Sequence, residues 1–229
     1  MSFFVKKITD EWGGVIYQPT TAGFTALVII MIAVLLIGVY LFGRKKHLSP
    51  KHLVFSAVAI ALSMITSMIK IINMPMGGAV TLLSMLFVSM IGYWYGLGAG
   101  LTTAFAYGVL QLVIDPYIIS LPQMLVDYIF AFMALGLSGI FSKSKNGLSK
   151  GYLVGVLGRY FFTFLSGWIF FGTYAADAGF KSAVLYSLVY NGAYLGAEAV
   201  ITLIIINLPP VKQALGRVTM YARDLGRVK

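Results

Sequence analysis

Seven long apolar runs separated by short polar loops constrain this chain more than any motif does. They extend from about Thr21 to Phe42, Leu53 to Ile72, Val80 to Tyr95, Leu97 to Ile114, Leu121 to Phe141, Gly151 to Tyr174 and Ser182 to Leu208. About 20 apolar residues cross the ~30 Å hydrocarbon core of a bilayer as helix, and several runs approach that length. None alternates polar and apolar residues as an outer-membrane barrel strand does. With 59% hydrophobic and 10% charged residues among 229, a single soluble core would leave large apolar patches in water. The expected fold is therefore an all-α integral membrane protein. Runs three and four are short and split at Gly96 and Gly98, which predicts a tight hairpin.

Lysine and arginine set the expected orientation, because basic loops stay in the cytoplasm. Arg44, Lys45, Lys46 and Lys51 follow the first run, Lys143, Lys145 and Lys150 follow the fifth, and Lys212, Arg217, Arg223, Arg227 and Lys229 form the tail. The opposite loops, Asn73 to Ala79, Asp115 to Ser120 and Ala175 to Lys181, contain only Lys181 as a basic residue. Seven spans with the N-terminus outside and the C-terminus cytoplasmic satisfy every loop. The chain then divides into residues 1–50, an N-terminal segment with an accessory helix and a basic loop, the membrane domain 51–208, and the basic tail 209–229. The tail reads as a solvated end that orients the protein, with membrane lipid binding as the lesser alternative. The first run begins some twenty residues in, exceeds the apolar core of an export signal and ends in RKK, so a retained helix is expected.

Several function classes lack their parts. Cysteine is absent, and His47 and His52 lie in the basic stretch RKKHLSPKH, so no metal site is expected. The net charge of +10 follows the membrane loops rather than a folded nucleic-acid face. No G-x-x-x-x-G-K-[ST] loop occurs, so the chain does not hydrolyse ATP itself. Without H-E-x-x-H, a serine beside a base, or two facing carboxylates, no catalytic residue is assigned, no cofactor is expected, and an enzyme is disfavoured. A self-sufficient secondary carrier would show duplicated halves or helices interrupted in matched positions. Neither is clear, so power comes from another subunit or from no source.

Asp127 is the only charged residue between Leu121 and Phe141. A carboxylate in a bilayer costs at least ~2.5 kcal/mol unless it faces a cavity or partner, which makes it a site candidate. At 1.5 Å per residue it lies roughly 9 Å from the outer end of its run, with Tyr186 about 6 Å and Asn191 about 13 Å into the seventh run. Phe171 and Thr163 lie about 5 and 16 Å into the sixth. Thr163, Gly167, Phe170 and Phe171 share one helical face, and Ser187, Asn191, Tyr194 and Glu198 another. A pocket ringed by Asp127, Tyr128, Tyr186 and Asn191, with Tyr117 in the preceding loop, suits a small cationic heteroaromatic ligand. The same groups would also serve simply to tie helices together. Arg159 and Glu198, each about 14 Å from the cytoplasmic end, are expected to form a structural ion pair. Ala57 and Ala61, four residues apart, offer close approach to another helix, within the protein or outside it.

The stretch from Met76 to Phe141, with GRYFFTFLSGWIFFGTYA and YSLVYNG, resembles the thiamine-specific substrate-binding component (S component) of energy-coupling factor transporters. The similarity covers most of Lys51 to Leu208. It implies a six-helix bundle, here with one additional N-terminal transmembrane helix, in a prokaryotic cytoplasmic membrane. It also implies vitamin capture on the outer side and docking on a transmembrane coupling protein with two ATP-binding cassette ATPase subunits, for which Ala57 and Ala61 resemble the A-x-x-x-A contact. Tyr117, Tyr128, Tyr186 and Asn191 match family ligand contacts. Asp127 stands where the family usually has Glu, Thr163 at a usual His and Phe171 at a usual Trp. The loop NMPMGG, expected to cover the pocket, lacks the tryptophan of well-known members. Thiamine is the expected ligand, with a pyrimidine precursor of it or another small heteroaromatic as the alternative.

Overall fold

A computed structural model describes residues 3–9, 15–23, 25–26, 29 and 49–224. Most of the expected first span lies outside the described residues. Near the N-terminus β1, Val5–Thr9, pairs antiparallel with β2, Val15–Pro19. The body then runs through α1, Pro50–Ser67; β3, Lys70–Asn73; β4, Ala79–Thr81; α2, Ser84–Tyr95; and α3, Leu97–Ile114. It continues through α4, Leu121–Phe141; α5, Gly147–Phe170; the short α6, Tyr174–Asp177; α7, Ala183–Asn207; and α8, Pro209–Asp224.

Among the described residues α1, α3, α4, α5 and α7 are each long and apolar enough to cross a membrane. The protein is a multi-pass, largely helical membrane protein. α2 has only 12 residues, about 18 Å of helix, and is the most enclosed element. Its Met85, Val88 and Ile91 are fully buried among the surrounding helices.

Local chemistry explains most boundaries. Ser49 caps α1 by accepting from the Lys51 amide at 3.3 Å, with Pro50 at the first helical position. Ser120 does the same for α4, accepting from the Gln123 amide at 3.3 Å. α2 and α3 turn on Gly96, whose φ of 89° suits a residue without Cβ. Where α3 and α4 cross, a Cβ on Gly136 would strike the backbone of Gly100 and Leu101, so the two helices touch main chain to main chain. The basic tail expected beyond Leu208 is helical through Asp224 and packs under the bundle. Trp94 Nε1 donates to Thr219 Oγ1 at 3.0 Å, and Arg223 donates to the Tyr93 and Ser142 carbonyls.

Two boundaries differ from the hydropathy reading. α1 stops at Ser67, and Lys70 to Thr81 forms the β3–β4 hairpin, so residues assigned to the ends of spans two and three leave the helices. β-Branched Ile71 and Ile72 favour a strand, and Met76 and Gly77, with φ of 57° and 85°, make the reversal. α4 is also not a uniform helix. It passes through a π turn at Leu125–Phe130 and a tighter 3₁₀ stretch at Ala134–Phe141. Such π turns recur at functional sites because they rotate side chains out of the regular helical register. Asp127 and Tyr128 lie in that turn.

Candidate solute-binding site

A cavity of about 160 Å³ opens at the β3–β4 end of the bundle. One water needs only ~10–15 Å³ on such a measure, so the space suits an organic molecule. Tyr117, Asp127, Tyr128, Thr163, Phe171, Tyr186 and Asn191 all line it, drawn from α4, α5, α7 and the α3–α4 loop. Arg159 and Glu198 line it as well. Ala57 and Ala61 do not, and they lie on the exposed face of α1 beside Val54, Val58 and Ile65.

The Asp127 carboxylate is held from one side. Oδ2 accepts from Gln123 Nε2 at 2.7 Å and Ser166 Oγ at 2.8 Å, while no described residue donates to Oδ1. Gln123 is itself fixed, accepting from the Ile119 amide at 3.1 Å and donating to the Tyr117 carbonyl at 3.1 Å. Tyr128 accepts from the Tyr117 amide and donates to the Asp115 carbonyl, both at 2.7 Å. One oxygen of Asp127 is therefore locked and the other left as an acceptor. Buried polar groups normally have partners, so an acceptor left over on a cavity wall invites a donor or cation.

Asn191 and Thr163 spend their hydrogen bonds within the bundle. Asn191 Nδ2 donates to the Ser187 carbonyl and hydroxyl at 3.0 and 3.2 Å, and its Oδ1 accepts from Tyr194. Thr163 Oγ1 bonds back to the Arg159 and Tyr160 carbonyls. Each of these hydrogen bonds stays within the residue's own helix, α7 or α5, while both side chains face the cavity. The rest of the wall is aromatic. Tyr117 and Phe171 stack at 6.0 Å between ring centroids, and Tyr186 meets Tyr190 at 5.5 Å.

The β3–β4 hairpin covers the opening and is pinned to the bundle at several points. Tyr190 donates to the Pro75 carbonyl and accepts from the Gly78 amide at 3.0 Å, and Lys70 Nζ pairs with Asp115 Oδ2 at 2.7 Å. Tyr190, Gln123 and Ser166 escaped the sequence reading although helical spacing pointed to them. Tyr190 follows Tyr186 by one turn, Gln123 precedes Asp127 by one turn, and Ser166 stands three residues after Thr163. Replacing Tyr190 with Phe removes both hydrogen bonds to the hairpin. The expected result is several-fold faster dissociation of a bound ligand at similar thermal stability, read by stopped-flow fluorescence.

The expected Arg159–Glu198 ion pair is not formed. Glu198 Oε2 accepts from the Thr81 amide at 3.1 Å and the Thr81 hydroxyl at 2.6 Å, while Oε1 accepts from Ser84 Oγ at 3.0 Å and the Met85 amide at 3.3 Å. It caps the N-terminus of α2, where amides lack intrahelical partners and the helix dipole favours an anion. Arg159 instead lies over the Phe132 ring, with its Cζ 4.0 Å from the centroid.

Fold and cavity together define a helical membrane protein with a covered cavity large enough for a small organic molecule. Residues 53–216, well over half of the chain, match the family model described as thiamine transporter protein (Thia_YuaJ). The chain is 33% identical over 169 residues to thiamine transporter ThiT of Bacillus subtilis, covering 68% of this chain and 85% of that protein. It is 25% identical over 138 residues to ThiT of Lacticaseibacillus paracasei, covering 53% and 68%. A solved structure of ThiT from Listeria monocytogenes superposes with a TM-score of 0.52 at 26% identity, covering 70% of this chain and 93% of that one. The chain belongs to the thiamine transporter family. These relatives are named as transporters, not as enzymes.

Proposed function

We propose that this chain captures thiamine as the substrate-binding S component of an ATP-driven vitamin uptake system. The observation that carries this reading is Oδ1 of Asp127, to which no described residue donates, in an aromatic cavity beneath a hairpin that covers it. Thiamine offers an aminopyrimidine to a carboxylate and a cationic ring to tyrosine faces, each cation–aromatic contact adding ~0.5 to 2 kcal/mol. Tyr117, Asp127, Tyr128, Thr163, Phe171, Tyr186 and Asn191 form the ligand shell. The domain 51–208 holds the site in the outer half of a prokaryotic cytoplasmic membrane, with the N-terminus outside and the C-terminus in the cytoplasm.

Release requires energy that this chain has no phosphate loop to supply. A transmembrane coupling protein and two ATP-binding cassette subunits supply it, docking on the exposed α1 face around Ala57 and Ala61, where small side chains permit close helix approach. Ala57→Leu or Ala61→Leu should prevent co-purification with such a module while leaving ligand affinity intact. Loss of ligand binding in those variants would instead place the alanines in internal packing.

Calorimetry on the purified protein with thiamine, and separately with its pyrimidine and thiazole halves, tests the ligand. Binding of thiamine below micromolar concentration is expected, with the halves far weaker. Tight binding of the pyrimidine half alone would make a precursor the ligand, and thiamine uptake that persists without ATPase partners would make the protein a self-sufficient carrier.

A further inference from the structure

Arg159 is a charged side chain that the thiamine reading does not use. It lines the cavity from α5, its Nε is buried, and its guanidinium makes no hydrogen bond to any described residue. What holds it is a ring. The guanidinium lies over Phe132, which is 7% exposed and packs edge-on against Tyr107. Arginine on an aromatic face keeps its charge while leaving its donors unspent. A cation in the wall of a pocket meant for a cation needs an explanation.

The charges lining the cavity provide one. They are Lys70, Asp115, Asp127, Arg159 and Glu198. Lys70 and Asp115 are paired with each other and cancel. Asp127 and Glu198 then contribute two negative charges against the single positive charge of Arg159, leaving one negative charge in excess. Inside a membrane protein such charges act on one another with little screening.

We propose that Arg159 is the counter-charge that makes this site selective for a ligand carrying one net positive charge. It is a specificity-determining residue that works through the field in the pocket, without needing contact with the ligand. This rests on the thiamine reading, thiamine being a monocation at neutral pH. With Arg159 in place, a single cation neutralises the cavity. Without it, the cavity holds two uncompensated carboxylates and over-attracts positive charge. The groups within electrostatic reach of the guanidinium are Tyr107 from α3, Asp127 and Tyr128 from α4, Tyr152 from its own helix, and Tyr194 from α7, and Glu198 of α7 lines the same cavity.

Two measurements test this on the whole purified chain. First, calorimetry at about pH 8 compares thiamine with the uncharged isostere in which carbon replaces the thiazolium nitrogen. In Arg159→Met the preference for thiamine over the isostere should rise about tenfold or more, and in Arg159→Lys it should stay near the wild-type value. A role confined to packing would weaken both ligands alike. Second, melting is followed without ligand for wild type, Arg159→Met, Arg159→Lys and the double variant Arg159→Met/Asp127→Asn. Two uncompensated carboxylates repel each other in Arg159→Met, so removing one of them in the double variant should recover much of its melting deficit. Arg159→Lys should melt near wild type.

An unchanged ligand preference together with a melting deficit that the double variant does not reduce overturns the proposal. If wild type binds neither ligand, the thiamine reading fails and the melting series alone decides the counter-charge. If Arg159→Met does not fold, the double variant Arg159→Met/Asp127→Asn, which restores one excess negative charge, should fold. Its failure to do so also overturns the proposal.

Discussion

Replacing Asp127 with Asn is expected to weaken thiamine binding roughly 10- to 150-fold, or ~1.5–3 kcal/mol, the usual range for a hydrogen bond to a charged group. The magnitude follows from how the carboxylate is divided. Gln123 and Ser166 donate to Oδ2, and an asparagine carbonyl oxygen in that place still accepts both. The amide nitrogen then replaces Oδ1 and presents a donor to the cavity where an acceptor stood. The scaffold is spared and the ligand face is inverted. Melting temperature should therefore change little while affinity falls, and calorimetry beside a thermal melt separates the two. A variant that melts early but binds normally would make Asp127 a helix tie. Asp127→Glu restores the charge with one more methylene and should recover part of the loss.

How far the sequence reading reached depended on which physical quantity carried the information. Hydropathy located α1, α3, α4, α5 and α7, because a helix in lipid must be apolar over its whole length. Helical spacing placed Thr163 and Asn191 on faces expected to turn inward, a lone charge marked Asp127 and depth set Tyr186 beside them, and all four line one cavity. Hydropathy misread Lys70 to Ile72, since an isoleucine pair looks the same in a strand as at the end of a span. The turn chemistry of NMPMGG held the correction. A loop that needs residues at φ of 57° and 85° closes a hairpin tightly enough for β3 and β4 to pair directly before it.

Depth along a helix was the weaker guide. It matched Arg159 with Glu198 because both lie equally far from one end, but depth says nothing about rotation around the helix axis. Nor did it reveal that α2 begins inside the bundle, where its first amides need an acceptor. The π turn in α4 was equally hidden. It shifts the register at Leu125–Phe130, so the positions of Asp127 and Tyr128 around the axis depend on backbone geometry that spacing assumes to be regular.

Glu198 carries the second large effect. Its two oxygens accept four hydrogen bonds, two of them from the main-chain amides of Thr81 and Met85, and it is 3% exposed. In Glu198→Gln one oxygen remains an acceptor while the new amide group faces one of those two main-chain N–H donors. The Thr81 and Ser84 hydroxyls can rotate to accept from the amide, whereas a main-chain N–H cannot. One buried donor is thus left unsatisfied, which costs at least ~1–3 kcal/mol. Glu198→Ala removes all four acceptances and also the charge that favours the N-terminus of α2, and should lower folded yield further still. Because α2 is the most enclosed helix of the bundle, losing its cap loosens the packing around Met85, Val88 and Ile91 rather than a surface turn. The expected order of melting temperatures in detergent is wild type, then Glu198→Gln, then Glu198→Ala. A wild-type melt for Glu198→Gln would show that the four contacts contribute no net stability and that α2 is held by packing alone.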